Sequence, residues 1–143
     1  MKSNEIKEDL SKRWNDVGTA LVEFGLVIVV FFMFVFGVMD FGRAIYTYHF
    51  VSNAACEATR YAMVRGSNST NPVTAADVES YVKSLAPQGI DPSRLAVSTS
   101  WSPNNAPGSS VRVLVSNNFQ CMSPFFRTYH IALSDSSQMV ISQ

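Results

Sequence analysis

Three features of the chain predict an α+β fold. A helical stretch far longer than an ordinary globular helix occupies the N-terminal side. A short segment with a capping signal follows it, and the C-terminal third carries runs that alternate apolar and small polar residues. The architecture expected is a long N-terminal helix whose second half packs on a small three-stranded antiparallel sheet, with one short extra helix. Its 143 residues suffice for one small domain and a helical anchor. The divisions are a leader at 1–18, the long helix at 19–65 and a head at 66–143.

The leader is polar and mixed in charge, with Lys2, Lys7, Lys12 and Arg13. The helix then begins with an apolar run. From Phe24 to Met39 no residue is charged, and Asp40 ends the run. Residues 19–39 have about the length that crosses a bilayer core as a helix. Arg43 is the only basic residue close behind the run, so the Lys/Arg asymmetry places the N-terminus in the cytoplasm and the head outside. The run is longer than the apolar region of a secretory signal, and the nearest small-x-small site, Ser52-Asn53-Ala54, lies well beyond it. Glu23 breaks the pattern near the start. A carboxylate there costs at least a few kcal/mol and raises a functional question.

Beyond Asp40 no proline interrupts the helix. Phe41, Ala44, Ile45, Tyr48, Val51, Ala55, Ala58 and Ala62 recur at three- and four-residue spacing, a stripe on which a sheet can pack. Arg65 and Gly66 give a basic last turn and a glycine stop. From Thr19 to Arg65 the helix would be roughly 70 Å long. After a polar linker with Pro72, Thr74 caps a second helix with Asp77 at the third helical position, and Val78, Tyr81, Val82 and Leu85 form its core stripe. Pro87-Gln88-Gly89 ends it. Strands are expected at Leu95–Trp101 and Ser110–Ser116, joined by a loop rich in Pro, Asn and Gly. A third is expected over part of Ile131–Ser142, centred on Gln138–Ile141, with Ser134–Ser137 as a turn or bulge within it.

No constellation in the chain points to catalysis. The two histidines, His49 and His130, are far apart, and no phosphate loop, dinucleotide turn or nucleophile elbow occurs. An enzyme is not expected, nor a metal or a cofactor. Formal net charge is zero, which gives no electrostatic support to a nucleic-acid partner. Asn68-Ser69-Thr70 matches a glycosylation sequon, a tripeptide common by chance. The two cysteines, Cys56 and Cys121, lie on the long helix and after the second strand. In an oxidising compartment a disulfide between them would clip sheet to helix and close a loop of about 65 residues, contributing roughly 4 kcal/mol. The alternative is two free thiols.

The run Gly18-Thr19-Ala20-Leu21-Val22-Glu23-Phe24 resembles a prepilin cleavage site. Asp40-Phe41-Gly42-Arg43-Ala44-Ile45-Tyr46, Asn53 to Ala62 and the closing Leu133 to Met139 are similar to the TadE-like family of pilin-like proteins. That resemblance implies a prepilin peptidase that cuts after Gly18 on the cytoplasmic side, freeing an amine on Thr19 and leaving Glu23 fifth in the mature chain. It implies a minor pilin or pseudopilin of a tight-adherence, Flp-type pilus, anchored once in a bacterial inner membrane, serving assembly, adhesion or secretion. Its partners would be the peptidase, other pilin subunits, the inner-membrane assembly machinery and the lipid bilayer. In a filament Glu23 would be buried and would need a cation, and the Thr19 amine of a neighbouring subunit is the candidate. The alternative for Glu23 is an acid snorkelling at the interface. Asp40 and Arg43 read as solvated boundary residues or a local pair. The competing function is an uncleaved, signal-anchored extracytoplasmic binding module.

Overall fold

The computed structural model describes residues 2–123, 128 and 130–142, with side chains for those from Gly18 onward. The basic side chains of the leader, on which the expected orientation rests, lie outside the described side chains. The chain divides into two units, Met1–Met39 and Asp40–Gln143. Helix α1 (Lys2–Met63) contributes to both.

In the first unit the described part of α1 is exposed nearly all round. Leu21, Phe24, Leu26, Phe31, Phe34 and Met39 all stand out from the helix surface. The span Gly18–Met63 contains a stretch long and apolar enough to cross a membrane, and none of that stretch is buried within the protein.

The second unit is a two-layer α+β head. After α1 come α2 (Ala75–Ser84), a single 3-10 turn (Pro92–Arg94), and strands β1 (Leu95–Ser102), β2 (Ser110–Gln120) and β3 (His130–Val140). The strands form an antiparallel sheet in the order β1-β2-β3. Leu95 pairs with Asn117 and Ser102 with Ser110 on one side of β2, while Ser110 pairs with Val140 and Gln120 with His130 on the other. Strand β2 is central and alternates strictly, turning Val111, Val113, Val115, Asn117 and Phe119 inward. Against these valines lie Val51, Ala54, Ala55, Ala58 and Ala62 of α1, joined in one core by Val78 and Val82 of α2, Leu95 and Ile141. The alanines leave no bulk between helix and sheet, so the two backbones approach closely. Tyr61 of α1 stacks on Tyr81 of α2 at 4.2 Å between ring centroids, and the Arg65 guanidinium covers the other ring face of the pair at 4.0 Å from Tyr61.

The capping signal of α2 is realised in full. Thr74 Oγ1 accepts from the Asp77 N–H at 3.3 Å, and the Asp77 carboxylate accepts from the Thr74 N–H at 2.9 Å. Gly89, two residues past Pro87, adopts φ +98°, a left-handed conformation that suits glycine.

Three expectations need correction. Helix α1 ends at Met63, two residues before the Arg65-Gly66 stop, because the Ser142 N–H donates to the Met63 carbonyl at 3.2 Å and holds the terminus at that turn. Strand β3 is continuous through Ser134–Ser137, where a turn or bulge was expected. Poor intrinsic strand preference there is overridden by the ladder of β2: Ser137 pairs with Val113, Ser136 with Leu114 and Asp135 with Val115. The Ser136 hydroxyl also accepts from the Arg112 guanidinium at 3.0 Å. The third correction concerns the upper stripe of α1. Phe41, Ile45 and Tyr48 are exposed, and the buried line runs instead through Asp40, Thr47, Val51, Ala55, Ala58 and Ala62.

Candidate assembly and anchoring sites

Gly18, Thr19 and Glu23 all lie on α1 in the first unit and are exposed. Thr19 and Glu23 are four residues apart, so they share one face of the helix. Among the described residues no cation forms an ion pair with Glu23; the pairs formed are Arg43–Asp40, Arg60–Glu57, Lys83–Glu79 and Arg94–Asp91. Gly18 has open space around it: a Cβ added there meets nothing within 4 Å. Among the described residues nothing requires glycine at that position.

The second unit holds a site that the sequence reading missed. Asp40, the residue that ends the apolar run, is buried. Its carboxylate accepts two backbone hydrogen bonds from the segment after β2, Met122 N–H to Oδ1 at 2.9 Å and Ser123 N–H to Oδ2 at 2.9 Å. The Arg43 guanidinium stands 3.4 Å from the same Oδ1 and lies over the Phe119 ring, 5.4 Å from its centroid. One carboxylate thus satisfies two N–H groups at the end of β2 and is flanked by a cation one helical turn away. Charge-assisted bonds of this kind are the stronger class. Asp40 is therefore neither a solvated boundary residue nor simply the partner of Arg43. It ties α1 to the chain more than 80 positions later in sequence. A signal for this was present: Asp40, Ala44, Thr47, Val51, Ala55, Ala58 and Ala62 keep the same spacing, so the stripe continues back through polar residues. Thr47 is accommodated on it because its hydroxyl donates to the Arg43 carbonyl at 2.9 Å. Thr59, fully buried, donates likewise to the Ala55 carbonyl at 2.7 Å, with the Ser137 carbonyl of β3 at 3.3 Å.

The cysteines are not brought together. Cys56 is exposed, Cys121 is partly exposed, and both are free thiols. Cys56 sits one position off the Ala55–Ala58 stripe and so faces away from the sheet. Cys121 adjoins Met122, which is bonded to Asp40. Asp40 and Cys56 are separated by about 24 Å along a helix of 1.5 Å rise per residue. A disulfide needs Cα atoms within about 7 Å of each other. The expected clip is thus excluded by register, and Asp40 does the fastening that it was assigned. Among the described residues, no group of three or more His, Cys, Asp or Glu could hold a metal ion.

No curated protein and no solved structure matches this chain. The sequence pattern of its helix is nonetheless specific. Residues 18–60, from the glycine of the Gly18–Glu23 element through Ala58, match the family model described as TadE-like protein, and over this part of the helix the chain is similar to that family.

Proposed function

We propose that the chain is a minor pilin or pseudopilin of a tight-adherence type pilus, anchored by α1 in a bacterial inner membrane and trimmed by a prepilin peptidase after Gly18. The observation that carries this is the TadE-like match over residues 18–60, which begins at Gly18 and includes Glu23 and the whole apolar run. A helix with apolar surface all round and one acid near its start suits lateral packing among copies of itself better than it suits a lone anchor. After cleavage the Thr19 amine of one copy would neutralise Glu23 of the next, and a copy out of register would bury an unpaired charge. The head would stay folded throughout, since its core is completed within residues 40–143.

Mass spectrometry of the N-terminus, on protein sheared from cells that carry the peptidase, tests this. The expected product begins at Thr19, and Gly18→Ala retains Met1. Because a methyl group at Gly18 meets nothing among the described residues, retention would report the peptidase and not a damaged helix. An intact leader on protein that works normally would instead establish the uncleaved, signal-anchored binding module.

A further inference from the structure

The structure points to a phosphate-binding cleft at the base of the head, with the headgroup phosphodiester of a membrane lipid as its ligand; this rests on the membrane-anchored reading above. A cavity of about 230 Å³ opens between α1, the 3-10 turn and the end of β2. Arg43 from α1 and Arg94 from the 3-10 turn both line it, together with Asp91 and with Asn117, Asn118 and Gln120 of β2. The same two arginines line an adjoining depression with Gln120, Cys121 and Met122. Two guanidiniums from different elements therefore converge on one space, with amide side chains beside them. Each arginine side chain is close to half exposed, which leaves N–H donors available. Planar, forked donors of this kind match phosphate oxygens in pairs.

The acids nearby are already engaged. Asp40 is committed to the Met122 and Ser123 N–H groups, and its contact with Arg43 is a long 3.4 Å. Asp91 accepts from the Ser93 N–H at 2.9 Å and the Ser93 hydroxyl at 2.7 Å, and its oxygen lies 3.8 Å from Arg94. Gln120 orients Arg94, accepting from it at 3.1 Å.

Position favours a lipid over a free ion as the source of the phosphate. Arg43 follows Met39, the last residue of the apolar run, by only four positions. Phe41, Tyr46 and Tyr48 are exposed on that same stretch of helix, and aromatic residues of this kind gather at membrane interfaces. Met122, on the rim of the cleft, exposes 71% of its surface, an apolar contact suited to the headgroup–acyl boundary. Basic pockets next to membrane helices take lipid headgroups for the same electrostatic reason.

The full chain in maltoside micelles, with its arginine Nε–H groups followed by NMR, provides the test. Phosphatidylglycerol should shift the Arg43 and Arg94 signals together and saturably while leaving Arg112, on the open sheet, unmoved, and at least tenfold more inorganic phosphate should be needed for the same shift. Arg94→Gln, a change at an exposed side chain, should weaken the lipid response about fivefold while leaving the unfolding temperature unchanged. An equal or stronger response to inorganic phosphate would overturn the lipid assignment. Independent shifts, or none with either probe, would overturn the cleft itself. The assay uses neither peptidase nor fibre, so its failure is separable from failure of the processing experiment.

Discussion

Two lengths of the same helix meet opposite fates. Along residues 51–62 of α1 the apolar face is consumed by the chain itself: Val51, Ala54, Ala55, Ala58 and Ala62 are buried against the valines of β2 and α2. Along residues 21–39 the side chains are large, point in every direction and are covered by nothing in the chain. The difference lies in side-chain size and distribution. Small residues on one face let a sheet of this chain come close. Leu, Val and Phe on all faces give no single face for a sheet to cover, and in the proposed function lipid or neighbouring copies take that role.

That contrast can be broken from either end. The largest effect is expected along residues 21–39, where Glu23→Ala should leave the head's unfolding temperature unchanged yet reduce incorporation into sheared fibres by at least a hundredfold. The Thr19 amine would then be buried without its partner, at about 3–5 kcal/mol per contact. Normal incorporation, quantified by immunoblot of shear fractions, would remove the pairing mechanism. From Asp40 onward the head itself should respond. Asp40→Ala orphans the Met122 and Ser123 N–H groups and should cost roughly 3 kcal/mol in denaturant unfolding, while Asp40→Asn, which keeps one acceptor oxygen, should cost less. Ala58→Leu overfills the fully buried helix–sheet seam and should cost about 2 kcal/mol. The matched change in the exposed length, Val29→Ala, should shift head stability by less than about 0.5 kcal/mol. If it shifts stability as much as Ala58→Leu does, the two lengths do not differ in the way described.

Smaller effects lie at the edges of the head. The backbone N–H of Thr74, then its hydroxyl, hold the Asp77 carboxyl below its ordinary value, and the Ser93 hydroxyl and N–H do the same for Asp91. For acids whose folded value is depressed, the contribution is present above the ordinary carboxylate range and lost as pH falls through the folded value. Relative to its intrinsic rate, exchange of the Thr74 amide should therefore be more strongly retarded at pH 6 than below about pH 4, and Asp77→Asn should flatten that profile. The smallest effect is expected for Cys56→Ser, less than about 0.5 kcal/mol and equal with or without reductant, because that thiol is exposed and unbonded. A loss seen only under oxidising conditions would revive the disulfide.

Most of the head's elements were legible in the residues because each has a local cause. Thr74 and Asp77 announce α2 through a capping pair three residues apart. Leu95–Ser102 and Ser110–Gln120 announce themselves by alternation, although β2 runs four residues further than its apolar core suggests. Val51, Ala55, Ala58 and Ala62 were identified by spacing alone. The upper stripe is out of phase with the sequence expectation because Phe41, Ile45 and Tyr48 are more apolar than Asp40 and Thr47, the residues that are buried. There register outweighs hydrophobicity, which is why the Asp40 site is hard to see in the residues alone. Gly18, Thr19 and Glu23 were legible as a motif, and the structure adds that Gly18 has open space and that Glu23 faces outward on the isolated chain.

The residues by themselves determined the long helix, its uncovered apolar run, the lone acid at its start and the order of the elements behind it. These follow from periodicity and composition over a few turns, which act at short range. Only the tertiary structure decided which face of α1 meets the sheet, that Ser134–Ser137 is drawn into a strand, that Cys56 and Cys121 stay apart, and that Arg43 and Arg94 share a cleft. Each of those depends on groups distant in sequence satisfying one another. Helical spacing marks Asp40 as lying on the buried face, but only packing decides that its carboxylate accepts from the Met122 and Ser123 N–H groups after β2.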